Sequence, residues 1–185
     1  MKLSEVFDGF PKKRIAIIGD VMLDAYIMGK VHRMSPEAPV PILLLNKEDQ
    51  RAGGAANVAL NLKALGAEVF LCSVVGQDLH GDKLIELLQE AGINCSSILH
   101  DTLRKTTVKT RVLSGSQHLL RIDQEDLGAL DKVIEDDLIQ RVELLINQGI
   151  DAIIFEDYNK GVLTEAVISR CITLAKAKGV ITCVD

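Results

Sequence analysis

Two carboxylates follow the first apolar run of the sequence. Arg14 to Gly19 is short and almost continuously apolar, and Asp20 and Asp24 come directly after it. Ligands of open α/β sheets bind beyond the carboxyl ends of the strands, so carboxylates at this place can accept hydrogen bonds from sugar hydroxyls. Asp20 has a second interpretation, in which its carboxylate caps local backbone N–H groups. We favour this structural role for Asp20 and ligand binding for Asp24.

A pair of glycines precedes the first predicted helix. Gly53 and Gly54 let a ligand approach the backbone closely, and free N–H groups at a helix start attract polar or anionic atoms. Asn57 both donates and accepts hydrogen bonds, as recognition of a vicinal diol requires. Paired glycines before a helix are also common as turn and packing residues. The spacing is neither GxGxxG nor GxxxxGK(S/T), so neither a dinucleotide fingerprint nor a P-loop is supported.

One stretch of the chain is basic. No acidic residue occurs between Thr102 and Ile122, and the cations there are Arg104, Lys105, Lys109, Arg111 and Arg121. On a strand, Lys109 and Arg111 share one face. Arginine offers paired donors to phosphate, which favours a phosphorylated substrate. The alternative is a solvated face whose charges protect an exposed strand from pairing.

A second polar segment follows a later apolar run. Phe155 ends this run, and Asp157 and Lys160 come next, before Thr164, which is a plausible helix N-cap. The segment either lies at the same sheet edge as Asp24 or is a structural turn held by the Asp157 side chain. Gly76-Gln77-Asp78 also ends a strand, and a turn is the more economical interpretation there. No Ser/His/Asp, Cys/His or metal-ligand constellation stands out.

The elements that must position these residues alternate between strands and helices. Apolar runs predict strands at 14–19, 68–75, 151–155 and 180–184. Helical patterns at 53–65, 81–91, 132–147 and 164–178 end at glycines. This order predicts an α/β fold with a mostly parallel sheet covered on both faces. Two β-like segments, 25–46 and 106–123, interrupt it, and we expect them to form a small lid sheet over the ligand edge.

The composition of the chain argues against several classes of protein. The chain has 185 residues, 48% of them hydrophobic, and a formal charge of −5, which is typical of a globular protein and argues against nucleic-acid binding. No signal-like or membrane-spanning apolar run occurs, so we expect a cytoplasmic protein without a membrane partner. The four cysteines are scattered along the chain, without CxxC spacing, and are expected to be buried reduced thiols: Cys72, Cys95, Cys171 and Cys183. Cys72 and Cys183 lie in apolar runs. The four histidines are scattered too, which makes a zinc site improbable.

In this order the motifs resemble those of the ribokinase-like, or PfkB, family of carbohydrate kinases. The resemblance extends from Arg14 to the last residue. AGGAANVALNLKALGA (52–67) looks like the first family signature, and VGQD (75–78) fits the Gly-x-Asp that follows it. HRMSPEAPVPIL (32–43), TTVKTRVLSGSQHLLRID (106–123) and DYNKGVL (157–163) are similar to the heptose 7-phosphate kinase branch. In many bacteria that enzyme, which serves ADP-heptose and lipopolysaccharide-core synthesis, is fused to a cytidylyltransferase-like domain.

The resemblance implies roles for particular residues. Those implied to hold the sugar hydroxyls are Asp24, Gly53, Gly54 and Asn57. Those implied to lie near the substrate's 7-phosphate are Arg33, Lys109, Arg111 and Arg121. Asp157 and Lys160 are implied to lie on the phosphoryl-transfer side. Family members close a β-sheet lid over the sugar and often pair lids, which implies a homodimer through the lid strands.

The chain also departs from the family pattern. The second signature, a Gly-x-Gly-Asp segment with the Asp that deprotonates the acceptor hydroxyl, has no counterpart, and the sequence ends after a predicted strand at Asp185. We therefore expect residues 1–185 to be the N-terminal part of a single kinase domain, with the base and most contacts to ATP and Mg²⁺ beyond Asp185. This part alone is expected to be inactive. Two alternatives stay open: a kinase for another sugar or sugar phosphate, and a non-catalytic sugar-phosphate-binding or dimerisation module.

Overall fold

A computed structural model describes residue 5 and residues 7–185. The N-terminal segment, in which the sequence shows no signal-like run, lies partly outside the described residues. After a 3-10 turn at Phe10–Lys12, the strands are β1 (Arg14–Gly19), β2 (Val21–Met34), β3 (Pro41–Gly54), β4 (Glu68–Gly76), β5 (Asn94–Asp101), β6 (Val108–Ser114), β7 (Gln117–Gln124), β8 (Ala152–Glu156) and β9 (Ile181–Val184). The helices are α1 (Ala55–Ala64), α2 (Leu79–Glu90), α3 (Lys132–Asn147) and α4 (Glu165–Lys178).

The core sheet is parallel and has the strand order β5-β4-β1-β8-β9. All four runs predicted as strands belong to it. β5 was not predicted, because its first half, NCSS, is polar and offers no apolar run. A polar sequence is tolerated here because this half of the edge strand is poorly covered, with Asn94 and Ser96 exposed.

Helices cover both faces of this sheet, as predicted. Side chains alternate along β1, so Ile15 and Ile17 pack with α1 and α2 while Ala16 and Ile18 pack with α3 and α4. Burying a large aliphatic side chain stabilises a fold by about 1.5–3 kcal/mol. The two apolar clusters therefore hold the strand ends, and the polar residues that follow them, in fixed relative positions.

Two helices, α1 and α2, begin at other residues than predicted, because the residue before each helix determines its first turn. α2 begins at Leu79 rather than at residue 81, because the Asp78 carboxylate caps it by accepting from the Gly81 N–H. Burial alone would raise the pKa of Asp78, but hydrogen bonds from the backbone N–H groups of Thr106 and Gly81 outweigh it and lower the pKa. α1 begins at Ala55 after Gly54, whose φ of 60° is a conformation that favours glycine.

A second sheet, the lid, has the order β3-β2-β6-β7. Two antiparallel hairpins, β2–β3 and β6–β7, join through the parallel pair β2–β6. Both predicted β-like segments contribute to it, but β2 begins at Val21 and β3 continues to Gly54. The prediction ended β3 too early, at residue 46, because the run KEDQR (47–51) is polar and lacks the apolar residues from which a strand is recognised.

The cysteines are free thiols. Burial raises the pKa of Cys72 and of Cys171 to about 12, so both are inert thiols. Cys183 is exposed, which corrects the expectation that its apolar run would bury it; β9 lies at the edge of the sheet. Within the described part of the chain, no helix is long and apolar enough to cross a membrane.

Candidate functional site

The lid meets the core at the carboxyl ends of β1, β4 and β8. Asp20, the residue between β1 and β2, is 1% exposed at this junction. Its carboxylate accepts three backbone hydrogen bonds, from Tyr158 and Lys160 at 3.0 Å and from Val162 at 3.1 Å. Asp20 thus has the structural role that we favoured, but the expectation of local donors is wrong, because the donors lie about 140 positions later in the sequence. One buried carboxylate shapes the whole loop that contains Asp157 and Lys160.

The lid carries a row of alternating charges across its four strands. Asp24 on β2 lies opposite Arg51 of β3 and opposite Lys109 of β6, which in turn pairs with Asp123 of β7. Partners in a sheet point to the same side, and residues two positions apart share that side. The next row therefore adds four more side chains to the same surface, which we call the charged lid face: Asp24, Tyr26, Asp49, Arg51, Lys109, Arg111, Arg121 and Asp123.

Asp24 and Arg111 form the central ion pair of this face. The Arg111 Nη1 atom lies 2.5 Å from Asp24 Oδ1, and each side chain is 23% exposed. The hydrogen bond to Asp24 raises the pKa of the Arg111 guanidinium, so Arg111 stays charged. The guanidinium carbons of Arg111 and Arg51 lie 5.4 Å and 5.2 Å from the centre of the Tyr26 ring. The pair offers a carboxylate for hydroxyl groups beside a cation for phosphate.

The glycine pair lies against this carboxylate. A Cβ atom at Gly53 would overlap the Asp24 side chain, and one at Gly54 would overlap the backbone carbonyl of Asp20. Only residues without side chains fit here, because both positions are buried and the space beside them is taken by Asp24 and by the Asp20 carbonyl. Asn57 follows in the first turn of α1 and is exposed. The structure thus places Asp24, Gly53, Gly54 and Asn57 along one continuous region where the lid joins the core.

The remaining basic residues are distributed unequally. Lys109 is partly exposed next to Asp24 in the register, and Arg121 pairs with Arg111 across β6 and β7 while its Nε lies 2.9 Å from Asp123. Arg33 lies nine positions after Asp24 on β2, which corresponds to about 30 Å along a strand. Arg33 is therefore not brought to the other residues within this chain, and its role near a phosphate stays a prediction.

The loop between β8 and α4 contains Asp157 and Lys160. The exposed Asp157 carboxylate accepts from the Asn159 N–H at 2.8 Å, so the turn interpretation is correct for its hydrogen bonding. Lys160 Nζ lies 3.0 Å from Glu125 Oε2, and the two side chains are 16% and 24% exposed. The Glu125 oxygen is buried and has no aligned hydrogen-bond donor, so this contact is an ion pair. Lys160 is thus held at the junction by a residue of the segment that leaves the lid.

Two groups at this junction were not predicted from the sequence. Glu156, the last residue of β8, is 4% exposed, and burial, aided by the negative charge of Asp185, raises the pKa of its carboxyl. Burial and the nearby carboxylates also raise the pKa of Tyr158. A glutamate that ends an apolar strand is the available sequence signal for Glu156. Tyr26 and Arg51 were not predicted as site residues, because the charged lid face has no apolar pattern by which the sequence could reveal it.

Metal-ligating side chains do not cluster in the part of the chain that the structure describes. Within residue 5 and residues 7–185, no group of three or more His, Cys, Asp or Glu side chains fits a metal ion. The polar groups at the junction instead bond to backbone N–H groups and to cations.

Comparison with known proteins decides the family. The model of the pfkB family of carbohydrate kinases matches residues 12–184. The chain belongs to this family. The resemblance inferred from the sequence motifs is thereby confirmed, and the family assignment covers both the core and the lid.

Curated relatives of this pfkB-family chain include proteins named Bifunctional protein HldE. The one from Helicobacter pylori strain J99 is 47% identical over 163 residues, which are 88% of this chain and 35% of the relative. The one from Methylobacillus flagellatus is 43% identical over 171 residues, 92% of this chain and 35% of the relative. The chain therefore spans about a third of the length of these relatives.

Solved structures share the fold at low sequence identity. A carbohydrate kinase from Agrobacterium tumefaciens has a TM-score of 0.66 and 20% identity, with 93% of this chain and 53% of that chain covered. Arabidopsis thaliana ribokinase, solved with ribose and ATP, has a TM-score of 0.65 and 15% identity, with 94% and 53% covered. The tetrameric inhibited form of Escherichia coli phosphofructokinase-2 has values of 0.66 and 16%, with 94% and 54% covered. The predicted ribokinase-like fold class, a mostly parallel α/β sheet with a small β lid, is confirmed.

Proposed function

We propose that the complete protein transfers the γ-phosphate of ATP to the anomeric hydroxyl of heptose 7-phosphate, giving heptose 1,7-bisphosphate. This chain supplies the sugar-binding part. The observation that carries the proposal is the Asp24–Arg111 pair, which puts a hydroxyl acceptor and a phosphate-binding cation side by side on the charged lid face. Family membership and the HldE relatives support a kinase, and the motifs similar to the heptose kinase branch support this sugar.

Each residue has a distinct task in this proposal. Asp24 accepts hydrogen bonds from sugar hydroxyls, and Asn57 both donates and accepts them. Gly53 and Gly54 leave room for the Asp24 carboxylate to lie where it can bind the sugar. The phosphate is bound by cations on the charged lid face: Lys109, Arg111 and Arg121, together with Arg51. Because Arg111 already has Asp24 as a partner, it is held in place before the ligand binds, which lowers the entropy cost of binding.

The donor side of the reaction involves the loop after β8. Asp157 and Lys160 lie at the carboxyl end of β8, and Lys160 can exchange its Glu125 partner for a phosphate. ATP with Mg²⁺ is the proposed donor, and Mg²⁺ neutralises phosphate charge when it is bound. We propose that residues after Asp185 supply the base and most contacts to ATP and Mg²⁺. The task of the present residues is to bind and orient the sugar phosphate.

The reverse side of the lid supports the proposal of a homodimer. Residues that alternate with the charged ones form an apolar surface, whose inner part, Leu23 and Val108, packs on the core. Its outer part is exposed, with Leu120 at 57% and Ile122 at 51% on β7. A second copy of the lid carries the same apolar surface, and pairing the two copies buries both. We therefore propose a homodimer through the lid strands.

The test of the sugar-phosphate site compares two ligands by calorimetry. We expect Arg111→Ala in the complete gene product to weaken heptose 7-phosphate binding by about tenfold to a hundredfold, because a charge-assisted contact is lost. Binding of unphosphorylated heptose should change by less than about threefold, within the effect of one weak contact. Arg141→Ala is the control, since Arg141 bonds Asp137 and the Ser96 carbonyl, away from the lid. Equal losses for both ligands, or none for either, would contradict this phosphate assignment.

A further inference from the structure

The lid is joined to the core by four chain crossings that meet at one place. They are Asp20 between β1 and β2, Gly54 before α1, residues 102–107 before β6, and residues 125–131 after β7. The loop of residues 157–163 contacts three of them directly through Asp20, Arg104 and Glu125. The fourth is connected through Asp20, whose carbonyl accepts from the N–H of Ala55. A single loop of the core therefore contacts three of the four crossings between lid and core and reaches the fourth through Asp20.

Arg104 is the side chain that connects most of these segments. Its Nη2 donates to the carbonyl oxygens of Lys160 at 2.9 Å and of Gly128 at 2.7 Å. One guanidinium thus joins the segment that enters β6, the segment that leaves β7, and the loop after β8. A guanidinium is rigid, planar and always charged, so it holds two carbonyls in a fixed geometry better than a flexible amine does.

The surroundings of Arg104 are fixed as well. Two residues later, Thr106 donates its N–H to Asp78 at 2.9 Å and accepts from the Gly76 N–H at 2.9 Å, which anchors the entering segment to the end of β4. The leaving segment is packed closely, since a Cβ atom at Gly161 would overlap the carbonyl of Gly128. The contacts of Arg104 therefore join segments that are themselves well held.

We propose that Arg104 is a positioning residue that ties loop 157–163 to both ends of the β6–β7 hairpin. These bonds hold the backbone of the loop, and with it Asp157 and Lys160, in a fixed position relative to the ends of the hairpin. In the complete protein this is the position that phosphoryl transfer requires. This inference rests on the proposed kinase function for its kinetic consequence, whereas the physical connection between lid and loop does not depend on that function.

Amide hydrogen exchange tests the connection directly. In the complete gene product, Arg104→Ala should speed exchange at the amides of residues 158–162 about tenfold, because the loop loses one of its anchors. Exchange in the core strand β1 should stay unchanged. Arg141→Ala is the matched control, because Arg141 also donates to a backbone carbonyl, that of Ser96, but on the far side of the core. Unchanged exchange at residues 158–162, or an equal increase with Arg141→Ala, overturns the proposal.

Steady-state kinetics test the consequence for catalysis. A displaced loop should lower kcat for heptose 7-phosphate about ten- to a hundredfold while KM rises less than about threefold, since small misplacements mainly cost reaction rate. Arg104→Lys, which keeps the charge and can reach one carbonyl, should recover part of kcat and replaces the alanine variant if that one does not fold. A rise in KM with an unchanged kcat contradicts the positioning role. If the wild-type protein shows no turnover, the kinase proposal fails, and the exchange comparison still decides the role of Arg104.

Discussion

Asp24→Ala is expected to weaken binding of heptose 7-phosphate by the complete gene product about a hundredfold, measured by calorimetry. The carboxylate accepts hydrogen bonds from hydroxyls in a partly buried site, and each charge-assisted bond contributes about 1.5–3 kcal/mol. Two such bonds at the lower end of this range, about 3 kcal/mol together, correspond to about two powers of ten in affinity. Arg111 would also lose the partner that holds it in place.

The ligand comparison separates this effect from that of Arg111. Asp24→Ala should also weaken binding of unphosphorylated heptose by more than about tenfold, because the hydroxyls are common to both ligands. Asp151→Ala is a suitable control: its carboxylate is also paired, with Lys13 at 2.8 Å, but it lies at the opposite edge of the sheet. Affinities of the Asp24 variant within twofold of the control would rule out Asp24 as the hydroxyl acceptor.

Asp20→Ala is expected to lower the free energy of unfolding by about 3–5 kcal/mol, because three N–H groups lose their acceptor around a buried position. Urea unfolding followed by circular dichroism measures this change. Asp20→Asn should have a smaller effect, since its amide keeps one acceptor oxygen.

The matched control for this experiment is Asp157→Ala. Asp157 is an exposed carboxylate in the same loop and accepts one N–H, from Asn159. Its loss should cost about 0.5–1 kcal/mol, the value of an exposed turn or cap hydrogen bond. If the two alanine variants are equally stable, Asp20 does not organise the loop.

Patterns within short sequence segments were enough to predict many of the strands and helices and part of the candidate site. Strand periodicity put Lys109 and Arg111 on one face, and the apolar runs located β1, β4, β8 and β9. The rule that polar residues after parallel strands meet at one edge put the loop after β8 at the same end of the sheet as the residue after β1, where Asp20 contacts it. These predictions succeeded because they depend on spacing within a segment and on the direction of parallel strands.

What could not be predicted depends on contacts between distant segments. Asp20 binds N–H groups about 140 positions later, and nothing near Asp20 in the sequence announces them. The Lys160–Glu125 pair and the double contact of Arg104 likewise need the folded chain. Arg51 was missed because its half of β3 is polar. The edge strand β5 was not predicted because its first half is polar and forms no continuous apolar run.

The most direct test of the central claim is transfer of phosphate from ATP to heptose 7-phosphate by the complete gene product, with the product identified by ³¹P NMR. We predict heptose 1,7-bisphosphate, formed by the wild-type protein and lost at equal substrate concentration in the Asp24→Ala variant. Transfer to other sugars but not to heptose 7-phosphate, or undiminished transfer by the Asp24→Ala variant, would contradict the account.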